Sequence, residues 1–259
     1  MNNSGIRHSR SIARARTGAV AACVLVSLVV LSGCGSSDSG DSVDADVSTS
    51  ASAAETTAAA SAVKPLTSGE LESAALAKAD LTGYEVTTPV KAEITAADGV
   101  KVSGEECAPL GRAVAGTAVG EPAATTHRRV TGGSGAALDI NTGTVTLASY
   151  ASVDEATAAL KSVADAVTAC AGGFQWTVGS EQLDASKVTE GTAPKAGEGA
   201  VAFTAVTPID GVDAPWKVVV FRDGATLAHF TVANVAAMTS GEDFTFPADL
   251  VTAQAGKLA

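Results

Sequence analysis

Only a few side chains in this sequence are suited to specific chemistry. Cysteines can carry a lipid, form a disulfide or bind a metal, and Cys34, Cys107 and Cys170 lie beyond the N-terminal apolar run. Arg128 and Arg129 belong to the one dense basic cluster after residue 33. Neighbouring guanidinium groups can bind a carboxylate or a phosphate. On a β-strand, however, the two side chains would point to opposite faces and pair with surface acids.

The two tryptophans, Trp176 and Trp216, are the other candidate ligand-binding residues. Large aromatic side chains can line a cleft for an apolar or sugar ligand, or they can simply pack in the core. The histidines outside the N-terminal region are His127 and His229. His229 lies in an apolar stretch, which is typical of a strand packed at the edge of a core.

Two glycine-rich stretches imitate known motifs without their essential features. Residues 132–136 lack the second glycine of a Gly-x-Ser-x-Gly nucleophile elbow, and no helix follows them. Residues 197–202 follow the glycine spacing of a dinucleotide fingerprint, but a strand pattern comes next instead of a helix. The two cysteines and the distant histidines also have no zinc-ligand spacing. The sequence therefore predicts no catalytic residue, no metal site and no cofactor.

The N-terminal 33 residues have the three parts of an export signal. They contain four arginines and no acidic residue, and an apolar run follows at residues 19–30. Residues 31–34 (Leu-Ser-Gly-Cys) resemble the lipobox of bacterial lipoproteins. That resemblance implies cleavage before Cys34, transfer of diacylglycerol to its thiol and acylation of the new amine, for example with palmitate. An ordinary signal peptide or a transmembrane anchor is the alternative.

Residues 34–63 follow as a lipidated cysteine and a linker. Residues 35–63 contain no aromatic residue and no Lys or Arg, and their composition of Ser, Thr, Ala, Gly and Asp predicts disorder. Once residues 1–33 are removed, the chain has 13 basic and 28 acidic residues, a net charge of −15. Lipid chains would hold such an acidic protein on a membrane surface that repels it. We expect one folded domain at residues 64–259.

Cys107 and Cys170 remain after the signal peptide and the lipidated cysteine are set aside. Exported proteins occupy compartments that permit disulfides, so a structural bridge between these two residues is expected. The alternative is a pair of redox-active thiols, but the Cys-x-x-Cys spacing of such pairs is missing.

Hydrophobic periodicity predicts helices at both ends of the domain and in its middle. Thr67 and Glu70 form a capping-box pattern at the start of a helix expected over residues 66–77. Gly83 marks the point by which this helix has ended. A short helix is expected over residues 106–114. The clearest helix spans residues 152–171, with one apolar stripe, and Pro247 opens a terminal helix.

The remaining segments favour strands. Weak strands are expected at residues 84–86, 124–130 and 138–140, and better ones at residues 144–150, 174–178, 200–207, 216–221 and 226–233. Asp223 and Gly224 predict a hairpin between the last two. Consecutive strands late in the chain indicate the α+β class. We expect a twisted antiparallel sheet with helices packed mainly on one face, and one disulfide.

The order of these segments resembles a known family. A short helix opens near Cys107, a long helix runs from Ser152 to Cys170, and the sequence Phe-Gln-Trp-Thr-Val-Gly follows at residues 174–179. This order resembles the extracellular sensor domain of PknH-like actinobacterial kinases and the lipoproteins that share it, over most of residues 64–259. The resemblance implies a twisted antiparallel sheet and a cleft for an unidentified ligand.

The sequence therefore predicts a lipid-anchored, extracytoplasmic and non-enzymatic protein on the cell membrane that binds a small ligand or an envelope protein. The acidic balance argues against nucleic acid, because phosphate binding needs clustered basic residues. Two alternatives remain open. A cell-envelope hydrolase would need Ser134 beside one of the histidines, and a structural or scaffolding lipoprotein would have a filled core without an apolar cleft.

Overall fold

The computed structural model describes residues 64–133 and 138–259 of the chain. The predicted signal peptide, Cys34 and the linker lie outside these residues, as does Ser134. The described residues form five α-helices: α1 (Ser68–Ala74), α2 (Ala108–Val114), α3 (Val153–Ala169), α4 (Val235–Ser240) and α5 (Ala248–Leu258). Short 3-10 turns lie at Lys78–Asp80, Lys91–Glu93, Ala97–Gly99 and Glu105–Cys107.

The strands form two antiparallel sheets. They are β1 (Tyr84–Thr87), β2 (Val100–Val102), β3 (Ala124–Gly133), β4 (Ile140–Ser149), β5 (Phe174–Val178), β6 (Glu181–Ala185), β7 (Lys187–Glu190), β8 (Gly199–Ile209), β9 (Val212–Asp223) and β10 (Thr226–Asn234). The large sheet has seven strands in the order β1-β3-β4-β10-β9-β8-β7, and the small sheet has the order β2-β5-β6. Every neighbouring pair is antiparallel.

Alternation along the strands gives the large sheet two buried faces. On β9, Val218 and Val220 join one core cluster, while Val219 and Phe221 join the other, because successive side chains of a strand point to opposite faces. The first face, with Val218 and Val220, packs against α2, α3 and the small sheet. The second face packs against α1 and α5. Both clusters draw on residues from 66 to 258, so the described part of the chain forms two cores.

The long helix α3 forms as its periodicity predicts. Ser152 accepts a hydrogen bond from the Glu155 amide at 3.2 Å and caps the helix. The buried stripe includes Ala156 and Val163, both fully inaccessible. Cys170 at the end of α3 is bonded to Cys107, just before α2, with the two Cα atoms 5.9 Å apart. The predicted disulfide is confirmed, and it fastens the start of α2 to the end of α3.

Helix α1 is shorter than the sequence predicts. The Thr67 capping box is present, but the helix stops at Ala74 and the chain becomes extended at Ala75. The side chain of Gln254 in α5 accepts a hydrogen bond from the Leu76 amide at 3.1 Å and donates one to the Ala74 carbonyl at 2.8 Å. A residue 178 positions away thus supplies partners that the next helical turn would otherwise provide.

The predicted strands at residues 144–150, 174–178, 200–207, 216–221 and 226–233 are confirmed, with some longer than expected. A separate strand at residues 138–140 is wrong. Leu138 has a φ of 66° in a turn and is 58% exposed, whereas Ile140 begins β4. The reason is that β3 and β4 pair as one long hairpin from Gly133 and Ile140 onward.

The α+β class, the antiparallel sheet and the single disulfide are as predicted. The sequence predicts helices mainly on one face of the large sheet. In the structure, α2 and α3 pack on the first face, and α1 and α5 pack on the second. No helix in the described ranges combines the length and apolar character that crossing a membrane requires.

Candidate functional site

A cleft of about 280 Å³ lies between the first face of the large sheet, the small sheet and the C-terminal end of α2. Its apolar lining includes Val114, Ala115, Trp176, Val178, Leu183, Ile209 and Trp216. Its polar lining includes Thr95, Thr144, Glu181, Thr207 and Thr231. A mostly apolar concavity with a few polar groups is the usual form of a small-molecule site.

The two tryptophans come to this cleft from different sheets. Trp176 is on the central strand of the small sheet, between Val102 and Leu183. Trp216 is on β9, and its cross-strand neighbours are Ala205 and Ala233. Because both neighbours are alanines, space remains beside the indole of Trp216 on this face of the sheet.

The two indoles differ in how much surface a ligand can reach. Trp176 is 3% exposed and its ring lies 5.3 Å from that of Phe174, at 41°. Trp216 is only partly buried and packs against the same core cluster. Trp176 therefore belongs mainly to the core, and Trp216 is the aromatic residue more available to a ligand. A ligand-binding role for both stays a prediction.

One buried hydroxyl at the cleft has no partner. Thr207 is 2% exposed, and its Oγ1 makes no hydrogen bond with any residue that the structure describes. Leaving a buried hydroxyl unsatisfied costs about 1–3 kcal/mol. By contrast, Thr231 Oγ1 donates to the Ala113 carbonyl at 2.6 Å. Thr207 is thus a buried polar group without a partner in the lining of the cleft.

A smaller cavity of about 40 Å³ adjoins the cleft and shares part of its lining, at Thr95, Ala115, Gly116 and Thr144. It is bordered by His127, Arg129 and Glu93, so its character is polar and charged. Its volume is sufficient for one or two water-sized groups. Together the two cavities give the site an apolar part and a charged part.

Arg129 lies at the charged part of the site. It pairs with Glu93 at 3.5 Å, and the two side chains are 47% and 44% exposed. A long ion pair between half-exposed groups contributes little to stability, usually less than about 1 kcal/mol. The Arg129 guanidinium can therefore exchange Glu93 for another anion at small cost.

Arg128, by contrast, points to the second face, as alternation on a strand requires. Its side chain is 9% exposed and pairs with Glu72 at 2.7 Å. Its guanidinium also donates to the carbonyls of Leu76, Glu72 and His127 and to Thr126. Because these contacts occupy the guanidinium and tie α1 to β3, Arg128 stabilises the fold. Anion binding by Arg128 stays a prediction, and Arg128 is not part of the candidate site.

Two histidine–threonine pairs hold the end of α2 on the first face. Thr146 donates to the Gly116 carbonyl at 2.7 Å, so its oxygen accepts from His127 Nδ1 at 2.9 Å. Thr231 likewise accepts from His229 Nε2 at 3.0 Å. When each imidazole is neutral, the nitrogen without a proton is therefore Nε2 in His127 and Nδ1 in His229. His229 Nδ1 is buried and has no partner in the described chain.

The environment keeps both imidazoles uncharged near neutral pH. Burial, and to a lesser degree the Arg128 guanidinium, holds the pKa of His127 below its ordinary value. Complete burial lowers the pKa of His229 to about 4, and the nearby carbonyls of Ala113 and Thr117 oppose this shift only in part. Each threonine uses its hydroxyl hydrogen on a backbone carbonyl, so neither pair is arranged as a nucleophile and its base.

Larger cavities lie elsewhere. One of about 660 Å³ borders Gly133 and Asp139, on either side of residues 134–137, which the structure does not describe, and we assign it no function. Another of about 500 Å³ lies on the second face beside Phe244 and Phe246. Within residues 64–133 and 138–259, no three His, Cys, Asp or Glu side chains are grouped so that they could hold a metal ion.

Sequence reasoning missed part of the site. The role of Arg129 could not be separated from that of Arg128, because the alternation of a strand does not say which face meets α1 and which meets the cleft. Thr146 and Thr231 carried no signal, since their partners are backbone carbonyls of α2. Polar residues alternate along β3 and β4, and this pattern was the available signal that one face of these strands carries polar side chains.

No protein-family model matches the chain, and no curated protein shows significant similarity to it. The extracellular domain of PknH from Mycobacterium tuberculosis has a similar structure, with 14% sequence identity and a TM-score of 0.47 over 75% of this chain and 95% of that one. An uncharacterized protein from Mycobacterium smegmatis has 11% identity and a TM-score of 0.35 over 70% and 90% of the two chains. The first is the kind of domain that the order of sequence segments resembles.

Proposed function

We propose that residues 64–259 form a non-enzymatic binding domain on the outer side of the cell membrane, with the tryptophan cleft as its ligand site. The observation that carries this proposal is the convergence of Trp176 and Trp216 on one cavity that also contains the unpartnered hydroxyl of Thr207. The cleft favours binding over the scaffolding alternative, which predicts a filled core. The arrangement of the two histidine–threonine pairs supports a role without catalysis.

The location is proposed from the sequence alone. Residues 31–34 match a lipobox and residues 35–63 match a disordered linker. Together they support a chain that is lipidated at Cys34 and held away from the membrane surface. The partners in this proposal are the membrane, through the lipid, and a small molecule in the cleft. A partner protein of the envelope is the second possibility, and nucleic acid is not expected.

The cleft is tested by native mass spectrometry of the full chain purified from its own host. We expect a small molecule to accompany the wild type. Ala115→Leu should abolish this, because Ala115 lines both cavities and a larger side chain fills their junction. Ala169→Leu, at an exposed position at the end of α3, is the matched control. Equal retention by the two variants would contradict the proposed site.

Lipidation is tested by growing cells with a fatty-acid analogue. The wild type should become labelled and Cys34→Ala should not, because the thiol is the acceptor. Cys23→Ala is the control, since Cys23 lies within the apolar run of the signal. Labelling that survives in Cys34→Ala would refute the anchor without affecting the cleft.

A further inference from the structure

We propose that the ligand is a single-chain amphiphile with one anionic head group, whose apolar chain lies against Trp216 and whose anion binds Arg129. This inference rests on the proposed function and adds the chemical class and the orientation of the ligand. It follows from the contrast between the two neighbouring cavities, because the larger one is lined mainly by apolar side chains and the smaller one includes the charged side chains of Arg129 and Glu93.

The register of the large sheet sets the distance between the two ends of this ligand. Arg129 on β3 is opposite Thr144 on β4, which is opposite Thr231 on β10. Trp216 lies on the next strand, β9, two residue pairs along from Val218, the partner of Thr231. Three strand spacings and a two-residue offset along the strand separate the Cα atoms of Arg129 and Trp216 by roughly 16 Å. A ligand that contacts both residues is therefore elongated.

The charges of the site fix the direction of the ligand. Arg129 is the only lysine or arginine among the described residues that line the two cavities. Glu181 lies at the apolar end, where it would repel an anion. An anionic head group is thus attracted at one end and repelled at the other, and it has to displace only the 3.5 Å contact between Arg129 and Glu93.

The size of the cleft favours one chain. A volume of about 280 Å³ is at the lower end of the range for small-molecule pockets, which suits a single alkyl chain and excludes a lipid with two. A free single-chain carboxylic acid has the required chemistry, whereas a two-chain membrane lipid shares the anionic head group but not the single chain.

The protein contains its own reporter for this test. Its only two tryptophans both line the cleft, so the entire tryptophan emission comes from the site. We would titrate the full chain with dodecanoate below its micelle concentration and separately with dodecanol. Dodecanoate should change the emission in a saturable way, with dodecanol binding more weakly because it lacks the charge.

Three variants separate the head group from the chain. Arg129→Gln should weaken dodecanoate about tenfold, which corresponds to one charge-assisted contact, and should leave dodecanol unchanged. Glu93→Gln should tighten dodecanoate because it frees Arg129. Lys195→Gln removes the same charge from an exposed position outside both cavities, and it should change neither affinity.

The outcomes are distinct. Equal dodecanoate affinity for Arg129→Gln and Lys195→Gln would overturn the anion site, and an unchanged emission with dodecanoate would overturn the amphiphile. In either case the proposed function would still be tested separately, by native mass spectrometry of the protein purified from its own host. An equal response to vesicles of phosphatidylglycerol would overturn the single-chain assignment, since a two-chain lipid does not fit the cleft.

Discussion

The buried imidazole of His229 should make the domain sensitive to mild acid. Its pKa is about 4 in the folded protein and 6.5 without burial, so the unfolded chain binds a proton more readily over this interval. The free energy of unfolding should therefore fall as the pH decreases from 6.5 to 4, and this contribution is constant above 6.5. A shift of 2.5 pH units corresponds to a loss of about 3 kcal/mol. Because the group is completely buried, solvent screening does not reduce this value.

The measurement is urea unfolding between pH 7.5 and pH 4, followed by tryptophan emission. His229→Gln is the comparison, because an amide can still donate to Thr231 and cannot take up a proton. The wild type should lose about 3 kcal/mol more than His229→Gln over this range. Carboxylates such as Glu72 and Asp243 have pKa values below their ordinary ones because of hydrogen bonds to Thr126 and Lys217, respectively, and their loss occurs at lower pH in both proteins.

A parallel pH dependence in the two proteins would refute this reasoning, since it would show that His229 is not held neutral by burial. His127→Gln provides a second comparison. The pKa of His127 is also lowered by burial, so this variant should flatten the same part of the curve to a smaller extent, because its ring is less deeply buried than that of His229.

Two further predictions concern stability at neutral pH. Replacing both Cys107 and Cys170 by alanine should lower the free energy of unfolding by about 4 kcal/mol, because the bridge closes a loop with a sequence separation of 63 residues; denaturant titration measures it, and a loss below about 1 kcal/mol would contradict the loop-entropy account. Arg128→Gln should cost about 2 kcal/mol, since carbonyls and the carboxylate of Glu72 lose their donor. In the same titration, Arg129→Gln should cost less than about 0.5 kcal/mol, and equal losses would show that burial does not distinguish the two arginines.

The fold was predictable where local and tertiary preferences agree. Helix α3 has its cap at Ser152 and one apolar stripe, and the hairpin at Asp223 and Gly224 joins two strands rich in β-branched residues. A second hairpin signal was missed. Asp210 and Gly211 both have positive φ, of 50° and 83°, and this Asp-Gly pair joins β8 to β9 by the kind of turn that such residues favour.

The remainder depended on distant contacts. The sequence of β6 (Glu181–Ala185) is mostly polar, and it becomes a strand because it pairs with β5. The early end of α1 depends on Gln254 near the C-terminus. In the site, the two tryptophans were identified as candidates, but their meeting in one cleft depends on how the small sheet packs on the large one, which no local pattern specifies.

Helix α2 is held at both of its ends, by the disulfide before Ala108 and by the threonine hydroxyls that bind the carbonyls of Ala113 and Gly116. One wall of the proposed ligand site is therefore held in place by the fold itself. Association should then follow a single kinetic phase, because no slow rearrangement of this wall has to precede or follow the encounter. A rigid cleft of this kind should bind molecules whose shape matches it. A branched molecule should therefore bind more weakly than an unbranched one of equal volume.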